Sequence, residues 1–181
     1  WQGKLVCDDY NGYKFLFHQG ATEIGCMAHA RRKFYELQVT GQSLISIEVL
    51  DLFGQLYAVE REIDERFEKN QPPTPRDVNV VRQIRQDKAK PIADSLYRWL
   101  QEKRQLTSKN ASITKAIDYC LKRWQALTRY LEDGSLPIDM RSTASQGAEN
   151  QMRPWALGRK NWLFAGSLKS GQRAAVIMSL I

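Results

Sequence analysis

From residue 43 to residue 133 apolar side chains recur at helical spacing, and this pattern decides most of what the chain can fold into. Ser112 to Leu131 is its clearest stretch. Ile113, Ala116, Ile117, Cys120, Trp124, Leu127 and Leu131 fall on one stripe, the spacing that turns one face of a helix toward a core. Gly134 stands where a C-terminal cap belongs. Upstream, Leu44, Ile47, Leu52, Leu56, Val59 and Ile63 predict one long helix from Ser43 to about Lys69. The run Asn70-Gln71-Pro72-Pro73-Thr74-Pro75 ends it, because proline lacks a backbone donor and disfavours helix in the residue before it. Asp77 to Ala89 is predicted helical again. Pro91 either opens the next helix or kinks a longer one, which carries Ile92, Leu96, Trp99 and Leu100 on one side.

The flanks read differently. Leu5-Val6-Cys7 is a short apolar run closed by Asp8 and Asp9, which predicts a buried strand with the acids at its C-terminal end. Tyr10 to Phe17 has the spacing of one or two short helical turns, and Thr22 to Met27 predicts a second strand. From Ala28 the pattern is helical, with Ala30, Phe34 and Leu37 on one face and Arg31, Arg32 and Lys33 on the others. Strand, short helix and strand predict a parallel pair joined by a crossover. Beyond Pro137, the polar residues Met140 to Gly147 read as a loop and Ala148 to Met152 as a helical turn stopped by Pro154. A last helix, capped at Ser170 or Gly171, carries the apolar residues Ala174 to Ile181. The expected class is α/β but mostly helical. An α/β part lies at each end, 1–42 and 134–181, with an all-α insertion over 43–133.

The 181 residues suffice for one domain with a real core. No apolar run approaches the ~18 residues of a membrane span, so no membrane partner is expected. Three widely spaced cysteines, Cys7, Cys26 and Cys120, make no disulfide framework and point to a reducing cytoplasm. No secretory signal pattern opens the chain. Trp at position 1 and an apolar helix cut off in mid-pattern at the other end suggest a piece of a longer protein. Lys and Arg outnumber Asp and Glu by 27 to 20, a balance that suits a polyanionic partner without requiring one.

Few residues carry chemistry by pattern alone. Asp8, at the C-terminal edge of a buried strand, occupies a common position for a ligand or catalytic group in α/β folds, and equally that of a solvated strand end or helix cap. Glu149 reads as an active-site acid or as an exposed helical one. Cys26-Met27-Ala28-His29 has the two-residue gap of zinc sites. A structural site needs four ligands, however, and Cys7, Cys120 and His18 supply no matching pair, so His29 reads better as part of a polar network. From Met140 onward Arg141, Arg153, Arg159, Lys160, Lys169 and Arg173 face a single acid, so +5 of the net +7 charge falls here. Interleaved with Trp155, Trp162 and Phe164, these bases suit phosphate contact beside base or sugar packing, or the solvated rim of an aromatic core. No phosphate-cradling glycine loop, nucleophile elbow or dinucleotide fingerprint is present.

Longer blocks carry a resemblance. Leu5-Val6-Cys7-Asp8-Asp9-Tyr10-Asn11-Gly12-Tyr13 resembles the segment around the second catalytic Asp of bacterial insertion-sequence-66-type transposases. Gly25-Cys26-Met27-Ala28-His29-Ala30-Arg31-Arg32-Lys33-Phe34 resembles their next block. Lys115 to Tyr119, with Trp124, Ala126, Leu127, Arg129, Tyr130 and Leu131, is similar to their last inserted helix. Ala148 to Pro154, followed by Gly158 to Ser167, resembles the block that holds their catalytic Glu. The match runs in order over nearly the whole chain.

The resemblance implies the RNase H-like core of DDE transposases, with Asp8 as the second metal-binding carboxylate and Glu149 as the third. The first Asp would lie on an earlier strand, upstream of Trp1, so this chain would be the C-terminal part of the catalytic domain and inactive alone. The resemblance further implies two Mg²⁺ or Mn²⁺ ions in the complete enzyme and DNA as partner, both transposon ends and target. It implies a homo-oligomer on that DNA, in the bacterial cytoplasm at the nucleoid. Cys26 and His29 match a feature near such active sites and are expected to support the site by positioning. Arg153, Arg159, Lys160, Lys169 and Arg173 are the expected DNA contacts, with Arg153 one helical turn beyond Glu149. If Asp8 and Glu149 share an ion, their Cα atoms should lie within roughly ten ångströms. The family pattern places two Asn and one further residue between Ile-Asp and Ala-Glu. Here Met140 to Gly147 intervene after Asp139, about five extra residues, which should bulge as an exposed loop because loops absorb insertions cheaply. The alternatives are a catalytically inactive DNA-binding or assembly remnant of a transposase and an unrelated metal-dependent nuclease on the same core.

Overall fold

The computed structural model describes residues 2–9, 11–41, 45–68 and 75–140, all within the first of the chain's two units, Trp1–Ser142. Strand β1 (Lys4–Cys7) is followed by a 3₁₀ turn (Asn11–Tyr13), helix α1 (Lys14–His18) and strand β2 (Thr22–Gly25). The strands pair in parallel, Lys4 opposite Thr22 and Cys7 opposite Gly25, as the strand–turn–strand pattern predicts. The chain turns back into β2 at Gly20, whose φ of +100° suits glycine.

Helix α2 (Met27–Val39) follows directly and buries Met27, Ala30, Phe34 and Leu37. Helix α3 (Ser46–Glu68) is the predicted long helix, with Val49, Phe53, Leu56 and Ile63 fully buried. Phe34 sits 5.9 Å from Phe53 and meets the Trp99 ring edge-on at 6.3 Å, so three helices converge on one aromatic cluster. The core continues without a break from Ile24 of β2 through these helices to Ile138. No helix among the described residues is long and apolar enough to cross a membrane.

Three local expectations meet a refinement or a correction. First, Pro91 stands in the first turn of its helix, as expected, but that helix is continuous with the one before it. Helix α4 (Val78–Ile84), capped by Asp77 accepting from the Asn79 and Val80 amides, runs on through a π turn (Arg85–Ala89) into α5 (Lys90–Leu106). Proline has no amide hydrogen for the carbonyl one turn back, and its ring crowds that carbonyl; a widened turn just before it accommodates both. Second, the stripe from Ser112 to Leu131 is not one helix. It breaks at Arg123 (φ −109°, ψ 12°) into α6 (Ser112–Lys122), packed on α2 and α5, and α7 (Trp124–Glu132), packed on β2. An added Cβ at Gly25 would come within 2.9 Å of the Leu127 backbone, so α7 lies directly against the strand there.

Third, Gly134 is not a left-handed helix cap. A Cβ built on it would lie 2.0 Å from the Val78 carbonyl oxygen, so glycine is needed because the segment after α7 presses on the start of α4. Gly134→Ala is therefore expected to destabilise the fold by about 2 kcal/mol through overpacking, read as a fall in thermal midpoint followed by circular dichroism. A midpoint equal to that of the parent would show that the two segments separate at no cost. Most of the predicted loop after Met140, the turn at Ala148 to Met152 and the last helix lie outside the described residues, as does most of the proline-containing run at 70–75.

Candidate functional site

Parallel pairing brings the C-terminal ends of β1 and β2 to one edge, where α/β folds place their ligands. Cys26 N–H donates to the Cys7 carbonyl at 3.2 Å, which closes the pair and aims the next residues outward. Asp8 follows β1 and keeps its carboxylate 42% exposed. Helix α2 rises from the end of β2, and its first turn carries His29, whose Nε2 lies 3.5 Å from Asp8 Oδ2. The Nδ1 atom of His29 is buried with no hydrogen-bond partner among the described residues.

Asp9, beside it in sequence, has a different task. Its φ of +79° is a left-handed conformation that an L residue adopts only under constraint. Arg123 supplies that constraint. Its Nη1 pairs with Asp9 Oδ1 at 2.5 Å and its Nη2 with Glu23 Oε1 at 2.5 Å, on a side chain only 7% exposed. The Tyr119 hydroxyl donates to the Asp8 carbonyl at 3.3 Å. The sharp turn thus commits Asp9 to structure and leaves the Asp8 carboxylate facing out. Sequence reasoning missed Arg123. The available signal was a cation one residue before Trp124, inside an otherwise apolar stripe.

The chain returns to this edge after α7. Met27 N–H donates to the Ile138 carbonyl at 3.1 Å. Asp139 is buried and accepts from the Tyr57 hydroxyl at 2.7 Å. The Met140 backbone hydrogen-bonds the Cys26 thiol. Burial pushes that thiol above its usual range, as it does for Cys7, so both stay protonated and neither is a ready thiolate ligand. Cys120, deeper in the core, is pushed up to about 12 by burial. All three cysteines are free.

Among the expected site residues, the structure therefore brings together Asp8, Cys26 and His29. Glu149, Arg153, Arg159, Lys160, Lys169 and Arg173 lie outside the described residues. Among the described residues no group of three or more His, Cys, Asp or Glu could hold a metal ion. Asp8 and Asp9 are equally exposed at the strand ends, 42% each, but Asp9 is held by Arg123 while the Asp8 carboxylate has the looser 3.5 Å contact with His29. The Asp8 carboxylate is the hard oxygen donor that Mg²⁺ or Mn²⁺ takes, and one that needs further carboxylates to complete a site.

The family model described as Transposase IS66 family matches residues 1–173. The chain belongs to the IS66 transposase family. The match spans both Asp8 and Glu149 and all the helices between them. This IS66-family chain is also similar to three proteins of Sinorhizobium fredii (strain NBRC 101917 / NGR234). It is 31% identical to uncharacterized protein y4hP over 99% of its own length and 33% of the relative's. It is 31% identical to uncharacterized proteins y4jD and y4qI over its whole length and 34% and 32% of theirs. The chain thus spans about a third of the length of the curated relatives it matches. No solved structure matches it.

Proposed function

We propose that this chain is the C-terminal part of a DDE transposase catalytic domain with an RNase H-like core, acting on DNA by metal-dependent strand cleavage and strand transfer. One observation carries the reading. The open Asp8 carboxylate stands at the joint C-terminal edge of two parallel strands, and the segment that leads to Glu149 is docked on the same helix turn, through Ile138 and Met140. The nine residue-to-residue steps from Met140 to Glu149 can span up to about 30 Å of extended chain, ample for Glu149 to approach Asp8. In this reading Asp8 and Glu149 are the second and third carboxylates, and the first belongs upstream of Trp1 in the complete protein.

Phosphodiester hydrolysis and attack by a 3′-OH are both in-line displacements at phosphorus. When bound, two Mg²⁺ or Mn²⁺ ions would favour the entering oxygen and stabilise the leaving one. Asp8 and Glu149 would hold that pair and fix where the phosphate sits. His29 orients the Asp8 carboxylate, and the protonated Cys26 thiol ties the returning chain to α2. Arg153, Arg159, Lys160, Lys169 and Arg173 would contact phosphates of transposon ends and target. The complete protein would work as a homo-oligomer on DNA at the bacterial nucleoid.

Strand transfer on a terminal-repeat substrate with Mg²⁺ tests the reading, comparing the 181-residue chain with the same chain extended upstream. Joined product is expected only from the extended protein. Efficient joining by the 181 residues alone would refute the fragment reading, and cleavage without joining by the extended protein would make it a nuclease.

A further inference from the structure

Helices α2 and α3 leave a cleft of about 490 Å³ between them, and none of its described lining residues is a carboxylate. The α2 wall is the stripe Ala28, Arg31, Arg32, Tyr35, and the α3 wall is Gly54, Tyr57, Arg61. Both stripes follow helical spacing, so each is one continuous face. Neither Arg31 nor Arg61 forms an ion pair with a described residue, while Arg32 pairs with Glu36 through Nε at 2.8 Å. The Arg31 guanidinium lies over the Tyr35 ring, 5.7 Å from its centre. Glu36 already balances Arg32, so Arg31 and Arg61 are the lining cations whose charge favours an anion in the hollow.

Gly54 is the second observation. Glycine is the poorest helix former after proline, yet it stands in the middle of a 23-residue helix. No neighbour demands it, because a Cβ there would meet nothing within 4 Å. Its effect is to leave the α3 wall of the cleft bare of a side chain at that position. The cleft also begins beside the proposed catalytic edge. Ala28 adjoins His29, which faces Asp8, and the Tyr57 hydroxyl binds Asp139 on the returning chain.

We propose that the α2–α3 cleft seats the phosphodiester backbone of DNA on its way to Asp8, with Arg31, Arg32 and Arg61 as the phosphate contacts. The guanidinium fork matches phosphate oxygens, and the bare backbone at Gly54 lets the sugar–phosphate chain approach the α3 wall closely. The inference rests on the transposase reading for the identity of the polyanion; the contacts rest on the cleft alone.

The test is fluorescence anisotropy of the 181-residue chain with a short fluorescein-labelled DNA duplex across a salt series. Three variants are compared: R31Q/R61Q, G54Q, and K109Q/K115Q, which removes equal charge from exposed positions that do not line the cleft. R31Q/R61Q is expected to weaken binding roughly tenfold or more at low salt, whatever the DNA sequence. It should also flatten the slope of log affinity against log salt by about 2, at roughly 0.9 per phosphate contact. G54Q places a side chain on the α3 wall of the cleft without changing charge and should weaken binding with an unlowered melting temperature. K109Q/K115Q should leave the slope near that of the parent. Equal losses in the two double variants, unchanged binding in R31Q/R61Q, or no DNA binding by the parent chain would each overturn the cleft assignment. Cleavage by the upstream-extended protein reports on the transposase reading separately, since it is lost with Asp8 whether or not the cleft binds DNA.

Discussion

Asp8→Asn in the upstream-extended protein is expected to reduce Mg²⁺-dependent end cleavage and strand transfer by at least about 10³-fold, several kcal/mol of transition-state stabilisation. The side chain is 42% exposed and lies 3.5 Å from the His29 ring, so the amide fits the same space with little change in folding. What changes is charge, since a neutral amide oxygen is a much weaker ligand for a hard dication than a carboxylate. DNA binding should survive, because phosphate contacts come from the basic residues. Asp9→Asn is the informative comparison. It removes the 2.5 Å pair with Arg123 and should lower the melting temperature, yet asparagine tolerates the left-handed backbone and a good share of activity should remain. Asp8→Asn with near-parental turnover, or Asp9→Asn with the larger catalytic loss, would show that the strand-end acid has been misassigned.

The largest expected effect on stability comes from Arg85. Its side chain is 2% exposed, at the start of the π turn. Nε and Nη2 donate to the two Glu60 carboxylate oxygens at 2.8 and 2.7 Å. Nη1 donates to the carbonyls of Tyr130, Asp133 and Leu136 at 3.0, 3.2 and 2.8 Å, which have no helical partner beyond the end of α7. Arg85→Leu would leave a buried carboxylate without its counter-charge and take the guanidinium donor from the Tyr130 and Leu136 carbonyls, while the Asp133 carbonyl keeps the Leu136 N–H at 3.1 Å. The expected loss is about 3–5 kcal/mol, a large share of a domain's total stability, seen as a fall in melting temperature of roughly 10 °C or more. A soluble but unfolded single variant would agree with this. Arg85→Met with Glu60→Leu should recover part of the loss, because removing both charges spares the desolvation of a lone one. A single variant within about 1 kcal/mol of the parent would mean that water reaches Glu60 and replaces the guanidinium.

A neighbouring tie is weaker. Lys4 on β1 pairs with Asp133 after α7, and this pair with the Ser135 hydroxyl holds the Asp133 carboxyl down at about 2. Because the folded value is depressed, the contribution is present above the ordinary carboxylate range and lost as pH falls toward 2. Lys4 is half exposed, so solvent screening keeps the contribution small.

The sequence by itself determined what depends on near neighbours. Periodicity located the long helix at Ser46–Glu68 and the inward faces of α2 and α5, because a helix of fixed pitch must turn every third or fourth side chain to the same side. The apolar run before Asp8 and the turn after it were enough for a parallel pair with an acid at its C-terminal edge, since a short crossover returns the chain in the same direction. The tertiary structure decided what depends on partners distant in the chain. Cys120, Trp124 and Leu127 continue one helical stripe, yet the helix breaks at Arg123 because that cation reaches Asp9 and Glu23 on the strand side. Gly134 has the composition of a cap, but its reason is the Val78 carbonyl. The sequence predicts only a helix around Arg85, and Glu60 with three carbonyls at the end of α7 draws its side chain inside. Asp8 and Asp9 are equivalent in sequence. Only the fold separates them, because a single buried guanidinium can hold one carboxylate in a strained turn and leave the other free for chemistry.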